Sequence, residues 1–127
     1  MSTIKVDAVE PRTTSSTITI GAAASNITAL TSATTITIDF NDNNNFSVTL
    51  GHNATFANPS NPTAGQTGSI FITQDGTGSR TGSWGSQWDF VGGSAPTLTT
   101  TAAAVDRIDY VVRSASRIHA VASLNLS

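Results

Sequence analysis

The chain contains no cysteine and very little charge. Without cysteine, its 127 residues can form neither disulfides, thiolate metal sites nor a cysteine nucleophile. Charged residues make up 11% of the chain, and only six of them are Lys or Arg. Because so few basic residues cannot gather a phosphate backbone, we expect no nucleic-acid partner. The N-terminus has no apolar run of signal-peptide or membrane-span length, so we expect no membrane partner either.

Aromatic residues are also scarce, at 6% of the chain, and 38% of all residues are hydrophobic. A single domain of this size buries about two-thirds of the surface of its unfolded chain, so the core must be thin. Thr, Val and Ile are stiff at χ1 and fit a pleated sheet better than a helix. We therefore expect an all-β fold, namely a small antiparallel β-sandwich or barrel-like domain with an extended N-terminal β-arm.

The predicted arm covers residues 1–34. Apolar and polar residues alternate over Ser2–Val9 and again over Thr17–Ile20, and Pro11 ends the first run because it has no N–H for a ladder. Strands this poor in bulky side chains gain by pairing with another chain. The arm is thus predicted to be an oligomerisation or attachment segment, and the alternative is a flexible leader. Its candidate interface residues are Ile4, Val6, Ile18 and Ile20.

The predicted β-domain covers residues 35–127. Strand patterns occupy Phe46–Leu50 and Ser69–Thr73. The Asp-Gly and Gly pair that follows the second run predicts a hairpin to a strand over Ser79–Trp84. An Ala-rich stretch, Thr101–Arg107, is the one candidate helix. The last twenty residues predict a closing antiparallel hairpin that turns at Ser114–Ser116.

No residue pattern indicates catalysis or a cofactor. The only imidazoles, His52 and His119, have neither zinc-motif nor triad spacing, and His119 falls in the surface phase of its strand. The Asx-rich run Asp39–Asn45 resembles a calcium loop superficially, but it lacks the turn glycine and closing Glu of an EF-hand. We interpret it as an Asx turn between two strands, with no metal site.

Two groups of side chains are candidates for binding. Trp84 and Trp88 could stack on a sugar of a host-surface glycan, or they could anchor the thin core. The arginines Arg107, Arg113 and Arg117 could form ion pairs between subunits or with an acidic surface of another protein, since a guanidinium binds carboxylates in a bidentate manner. The alternative for the arginines is a set of solvated strand faces.

One long block carries a resemblance. The segments Gly65–Thr81 and Ser83–Phe90, continued by Ala95–Thr99 and Val105–Tyr110, resemble a β-rich domain of virion proteins from tailed bacteriophages. The similarity covers roughly residues 36–127. The start of the chain, Ile4–Pro11 and then Ser16–Gly21, is similar to leaders of phage tail-fibre and head-associated proteins, although that motif is degenerate.

The resemblance implies a non-enzymatic virion protein that is made in the host bacterial cytoplasm and assembles as a homotrimer. Long phage fibres carry a repetitive shaft and a receptor-binding tip, and this chain has neither. A capsid decoration, or cement, protein that binds the major capsid protein or another virion protein is therefore expected. The alternative is a tail-fibre or receptor-binding component that recognises host glycans.

Overall fold

A computed structural model describes residues 21–126, and within this range the chain forms nine β-strands and one 3-10 turn. The expectation of an all-β fold is therefore confirmed for the described part of the chain. The strands are Ile27–Ala29 (β1), Thr35–Ile36 (β2), Asn45–Leu50 (β3), Ala54–Phe56 (β4), Thr67–Gln74 (β5), Gly82–Trp84 (β6), Trp88–Phe90 (β7), Val105–Ser114 (β8) and Arg117–Ser123 (β9), and the 3-10 turn is Val91–Gly93.

The strands form two sheets. Sheet A has the order β1-β3-β5-β8-β9-β7, and sheet B has the order β2-β4-β6. From β1 to β7 each strand lies in the opposite sheet from the strand before it, so the chain winds around the core as a short β-solenoid. The β8–β9 hairpin lies between β5 and β7 in sheet A, where it interrupts the winding.

The expected antiparallel arrangement is correct only for the C-terminal hairpin and its contact with β5. Strand β8 runs antiparallel to both β5 and β9, whereas the other five strand pairs are parallel. The reason is the winding: two strands that meet in one sheet are separated by a full coil, so they run in the same direction. A period-two sequence pattern fits both directions equally.

The predicted hairpin between Ser69–Thr73 and Ser79–Trp84 is wrong, because its two strands lie in different sheets. The turn after β5 leads into β6 of sheet B. Asp75 organises this turn by accepting hydrogen bonds from the backbone N–H groups of Thr77 and Gly78 and from the Arg80 guanidinium. The turn glycines thus redirect the chain across the core.

The predicted helix over Thr101–Arg107 is also wrong. Those residues form a turn that leads into β8, which begins at Val105. Val105 pairs with Thr73, and burial alternates along the strand from there. Tertiary pairing with β5 therefore overrides the weak helix preference of a short Ala-rich segment. The closing hairpin is confirmed, with β8 ending at Ser114 and β9 starting at Arg117.

One hydrophobic core lies between the sheets. Aromatic rings fill its centre, where Phe40 contacts Phe46, Trp88 and Tyr110 with ring centroids 5.9, 6.2 and 4.8 Å away. Both sheets contribute aliphatic side chains, and the buried hydrophobic cluster consists of Ile36, Ile38, Phe40, Phe46, Val48, Leu50, Ala54, Phe56, Ile70, Ile72, Trp88, Leu98, Ile108, Tyr110, Val112, Ile118 and Ala120.

The arm predicted over residues 1–34 is described only from Gly21 onward. Its candidate interface residues Ile4, Val6, Ile18 and Ile20 lie outside the described residues. Strand β1 falls within the predicted arm and pairs in parallel with β3.

Candidate interaction surfaces

Within residues 21–126, each sheet ends in an edge strand on the N-terminal side of the solenoid. Strand β1 is one edge of sheet A, and β2 is one edge of sheet B. The carbonyls of Thr34 and Ile36 accept hydrogen bonds from Thr55 and Ala57 on the β4 side. The backbone groups of Thr35 and Thr37 therefore point to the opposite side, where the described chain has no strand. We call this side, formed by β1 and β2, the open end.

The other side of the solenoid is covered by the chain itself. In sheet A, the β8–β9 hairpin pairs with β5 through β8 and separates β5 from β7. In sheet B, Leu98 packs so closely over Gly82 of β6 that a Cβ on Gly82 would lie 2.7 Å from the Leu98 Cδ1 atom. Leu98 is itself buried. Strands β7 and β6 are nevertheless edge strands of sheets A and B, so each sheet of residues 21–126 has a second edge away from the open end.

Side-chain contacts hold the first coil on the second. The Asn44 side-chain amide donates to Ser25 Oγ over 3.4 Å, and that of Asn43 donates to Thr28 Oγ1 over 3.3 Å. Further along, the Gly51 N–H donates to Ser32 Oγ over 2.9 Å. The coils are therefore stacked in register at two corners, one before β3 and one after it.

The Asx run, Asp39–Asn45, forms the corner that precedes β3. Asp39 Oδ1 accepts from the Asn41 N–H and from the Asn61 side-chain amide, each over 2.9 Å. The bond from Asn61, followed by that from Asn41, holds the pKa of Asp39 below its usual value. Asn43 Oδ1 accepts from the two N–H groups that follow it. The predicted Asx turn is confirmed, and residues 21–126 contain no group of three acidic or imidazole side chains able to hold a metal ion.

The second surface is the outward face of sheet A at β7, β8 and β9. Three valines there are strongly exposed: Val91 at 80%, Val121 at 55% and Val111 at 49%. We call these three valines the valine patch. A groove of about 420 Å³ runs between them, with the side chains of Asp89, Asp109 and His119 along it. An exposed apolar group of this kind is typical of a contact site.

Sequence patterning did not single out the valine patch, although it contained a signal. Along β8 the buried residues are Asp106, Ile108, Tyr110 and Val112, so Val111 falls at an outward position. Val121 is in the corresponding phase on β9 and pairs across the hairpin with Asp109. Apolar side chains at outward positions of a half-buried strand are the feature that marks this face.

The three candidate arginines are on the surface, in different environments. Arg107 Nε lies 2.9 Å from Asp109 Oδ1, and Arg117 Nη1 lies 3.2 Å from Asp89 Oδ1. Both ion pairs are within the chain and partly exposed, so each contributes little stability. Arg113 is exposed and forms no ion pair within residues 21–126. It is therefore the arginine with a free guanidinium for a partner.

The two tryptophans belong to the core side of the molecule. Trp88 is 6% exposed, and its Nε1 donates to the Ala57 carbonyl over 3.0 Å. Trp84 stacks on Phe56 at a centroid distance of 4.4 Å and packs against the core. Its Nε1 is buried and has no hydrogen-bond partner within the described chain. This packing favours the core interpretation, because Trp88 is buried and the partly buried Trp84 is stacked on Phe56.

The imidazoles are separated. His119 is exposed on β9, where it pairs with Val111 on one side and with Asp89 on the other. Its predicted surface position is confirmed. His52 lies in the corner that follows β3, with Nδ1 2.9 Å from Ser32 Oγ.

Comparison with protein-family models, with curated proteins and with solved structures gave no match. Across residues 21–126, no helix has the length and apolar character needed to span a membrane.

Proposed function

We propose that the chain is a non-enzymatic structural protein of a tailed bacteriophage, and that it decorates the capsid as a homotrimer. The phage assignment is supported by the resemblance of residues 36–127 to a virion domain. The attachment mode is supported by one observation above all, which is that the edge strands β1 and β2 lie on the side where residues 1–20 join the described chain. An edge strand exposes backbone donors and acceptors to which a further strand can be added.

Attachment is assigned to the N-terminal side. The first described residue, Gly21, lies six positions before β1, the edge strand of sheet A. Ile4 and Val6 belong to the alternating run that precedes it. In the proposed mechanism this run adds a strand to a sheet of the major capsid protein or another virion protein. Main-chain hydrogen bonds would supply most of the affinity, which suits its small side chains.

Trimer contact is assigned to the valine patch. Val111 and Val121 lie on the outward face of sheet A, Val91 follows β7 in the 3-10 turn, and Arg113 lies two positions after Val111 on β8. Apolar side chains in the centre with an arginine at the rim are the usual composition of a subunit interface. Subunit contact would remove the three valines from water.

The first test is particle attachment. Phage particles assembled without this protein are incubated with the purified full chain or with a variant that lacks residues 1–16, and bound protein is located by gold-labelled antibody. We expect the full chain on the head surface and no binding of the truncated chain. Equal binding of both, or labelling of the tail alone, would contradict the proposal.

The second test is subunit number. Light scattering should give three times the mass of the chain for the wild type and a lower mass for Val111→Asp, because a buried carboxylate without a partner opposes association. The matched control is Thr49→Asp, at an exposed position on β3 far from the patch. A monomeric wild type would reject the trimer.

A tail-fibre component that binds host glycans is the second candidate, and the groove favours it. Asp89 and Asp109 place carboxylates beside an apolar floor, an arrangement that suits a ligand with hydroxyl groups. A glycan array distinguishes the two functions. Specific binding that is lost in Asp89→Asn and kept in Asp42→Asn, a change at an exposed turn outside the groove, would support the glycan function.

A further inference from the structure

The first two coils of the solenoid are related by a constant offset in sheet A. Ile27 of β1 pairs with Asn45 of β3, and Ala29 pairs with Ser47, so each partner lies 18 positions further along the chain. The next coil is longer, because Phe46 pairs with Ile70, 24 positions further along. An offset of 18 is therefore a property of the first coil in particular.

The sequence repeats itself at that same offset. The four residues Thr17–Ile20 read Thr-Ile-Thr-Ile, and so do Thr35–Ile38, 18 positions later. In the second copy the structure buries Ile36 and Ile38, at 4% and 1% exposure, and leaves the threonines exposed. The first copy has the same side chains in the same phase.

The segments that follow the two Thr-Ile-Thr-Ile copies and lead to sheet A have the same length. Six residues, 39–44, lead from Ile38 beside sheet B to Asn45 at the start of β3 in sheet A. Six residues, 21–26, separate Ile20 from Ile27 at the start of β1. The two connections already touch, because Asn44 donates its hydrogen bond to Ser25. A six-residue connection from the same chain is therefore long enough for this crossing between the sheets.

From these three observations we infer that Thr17–Ile20 pairs in parallel with β2, at the 18-residue offset, as a fourth strand of sheet B. The segment supplies the missing partner for the outward backbone groups of Thr35 and Thr37. Ile18 lies beside Ile36 and Ile20 beside Ile38, which extends the aliphatic row of the core. The segment comes from the same chain, because its connection has the required length.

This inference leaves β1 as the open edge strand for the proposed attachment, and it narrows the arm. If Thr17–Ile20 belongs to the solenoid, residues 1–16 are the part of the arm left for a partner. Ile18 and Ile20 then stabilise the fold, whereas Ile4 and Val6 remain candidates for the interface. The attachment test with the 1–16 truncation can fail without affecting the assignment of Thr17–Ile20.

Hydrogen exchange tests the inference directly. In the full chain, the amides of Thr35 and Thr37 should exchange roughly 100-fold or more slowly than the amide of Gly76 in its exposed turn, since paired edge amides open only by local unfolding. Removal of residues 1–16 should keep this protection, and removal of residues 1–20 should abolish it. Exchange of Thr35 and Thr37 as fast as that of Gly76 in the full chain would overturn the inference.

Point variants cover the case in which the longer truncation does not fold. Ile18→Asn in the full chain should lower the urea midpoint and speed exchange at Thr35 and Thr37, whereas Ile4→Asn should change neither. Equal effects of the two variants would contradict the pairing. Protection that disappears on dilution, together with a falling light-scattering mass, would show that a second copy supplies the strand and would overturn the same-chain assignment.

Discussion

The rings of Phe40 and Tyr110 lie face to face, with centroids 4.8 Å apart and an angle of 5° between their planes. Phe40 belongs to the connection that leads from β2 to β3, and Tyr110 lies in the middle of β8. The Tyr110 hydroxyl also donates a hydrogen bond to the Asn44 carbonyl over 2.6 Å. This pair therefore fastens the covering hairpin to a coil corner of the solenoid.

Replacing Tyr110 with Phe should remove that hydrogen bond and keep the stacked rings. The Asn44 carbonyl then loses a partly buried donor, which should lower the free energy of unfolding by about 1–2 kcal/mol. Urea unfolding followed by tryptophan fluorescence measures the difference. The control is Thr49→Ser on β3, where an exposed side chain changes and about 0.5 kcal/mol or less is expected. Equal effects would argue against the hydrogen bond.

Alkaline pH should destabilise the protein through the same residue. Burial raises the pKa of Tyr110 to about 12, above the ordinary value of 10.0 that applies when the chain is unfolded. As the pH rises, the unfolded chain therefore loses the Tyr110 proton before the folded chain does. The contribution of Tyr110 to the free energy of unfolding is fully present below pH 10, and it falls by on the order of 2 kcal/mol as the pH rises to about 12. Unfolding midpoints between pH 9 and 12 should fall less steeply in Tyr110→Phe than in the wild type.

The positions of most strands could be predicted from the sequence, because alternation is a local property. The runs Phe46–Leu50 and Ser69–Thr73 fall within β3 and β5, and the closing turn lies at Ser114–Ser116 as expected. The Asx turn could be predicted for the same reason, since its side chains bond to backbone groups within two residues. Local chemistry was sufficient for both features.

The choice of sheet for each strand could not be predicted, because alternation does not specify a partner. The turn after β5 fits a hairpin by its glycines, yet Gln74 is buried and bonds through its side chain to the backbone N–H and carbonyl of Arg80. In a hairpin, the backbone groups of Arg80 would bond to the backbone of β5. Here they bond to the Gln74 side chain, and the chain continues into β6 of sheet B. A glutamine at the end of a strand gives no such indication in the sequence.

Gly68 is a position where the coil stacking should tolerate no side chain. A Cβ there would overlap the Asn44 carbonyl oxygen and lie 2.8 Å from the Tyr110 hydroxyl. Gly68→Ala must displace backbone as well as Tyr110, so we expect a loss of about 3 kcal/mol or a failure to fold. Gly76→Ala is the matched control, since nothing lies within 4 Å of its Cβ position. Thermal unfolding of the two variants side by side gives the comparison.

Acid should loosen the turn between β5 and β6. The hydrogen bond from Arg80, followed by that from the Gly78 N–H, lowers the pKa of Asp75 below its ordinary 3.8. A depressed pKa contributes stability that is present above pH 3.8 and is lost as the pH falls through the lower, folded-state value. Between pH 5 and 2 the thermal midpoint of the wild type should therefore fall more steeply than that of Asp75→Asn. Parallel curves would show that Asp75 contributes nothing to the acid sensitivity.

Among the carboxylates of residues 21–126, Asp106 is the one whose replacement should lower the free energy of unfolding most. It is 2% exposed and faces inward on β8. Its Oδ2 accepts from the Thr99 N–H over 2.7 Å and its Oδ1 from the Asn125 N–H over 2.8 Å. Asp106 therefore fixes both the segment that carries Leu98 over β6 and the residues that follow β9.

Asp106→Ala deprives both N–H groups of their acceptor, which should cost about 2–4 kcal/mol. Asp106→Asn keeps one side-chain oxygen and should lose roughly half as much. The Asp42→Ala control changes an exposed turn and should alter stability by about 0.5 kcal/mol or less. Hydrogen exchange should also become faster at the Thr99 and Asn125 amides in the Ala variant. If Asp106→Ala and Asp42→Ala unfold at the same urea concentration, the carboxylate does not hold these segments in place.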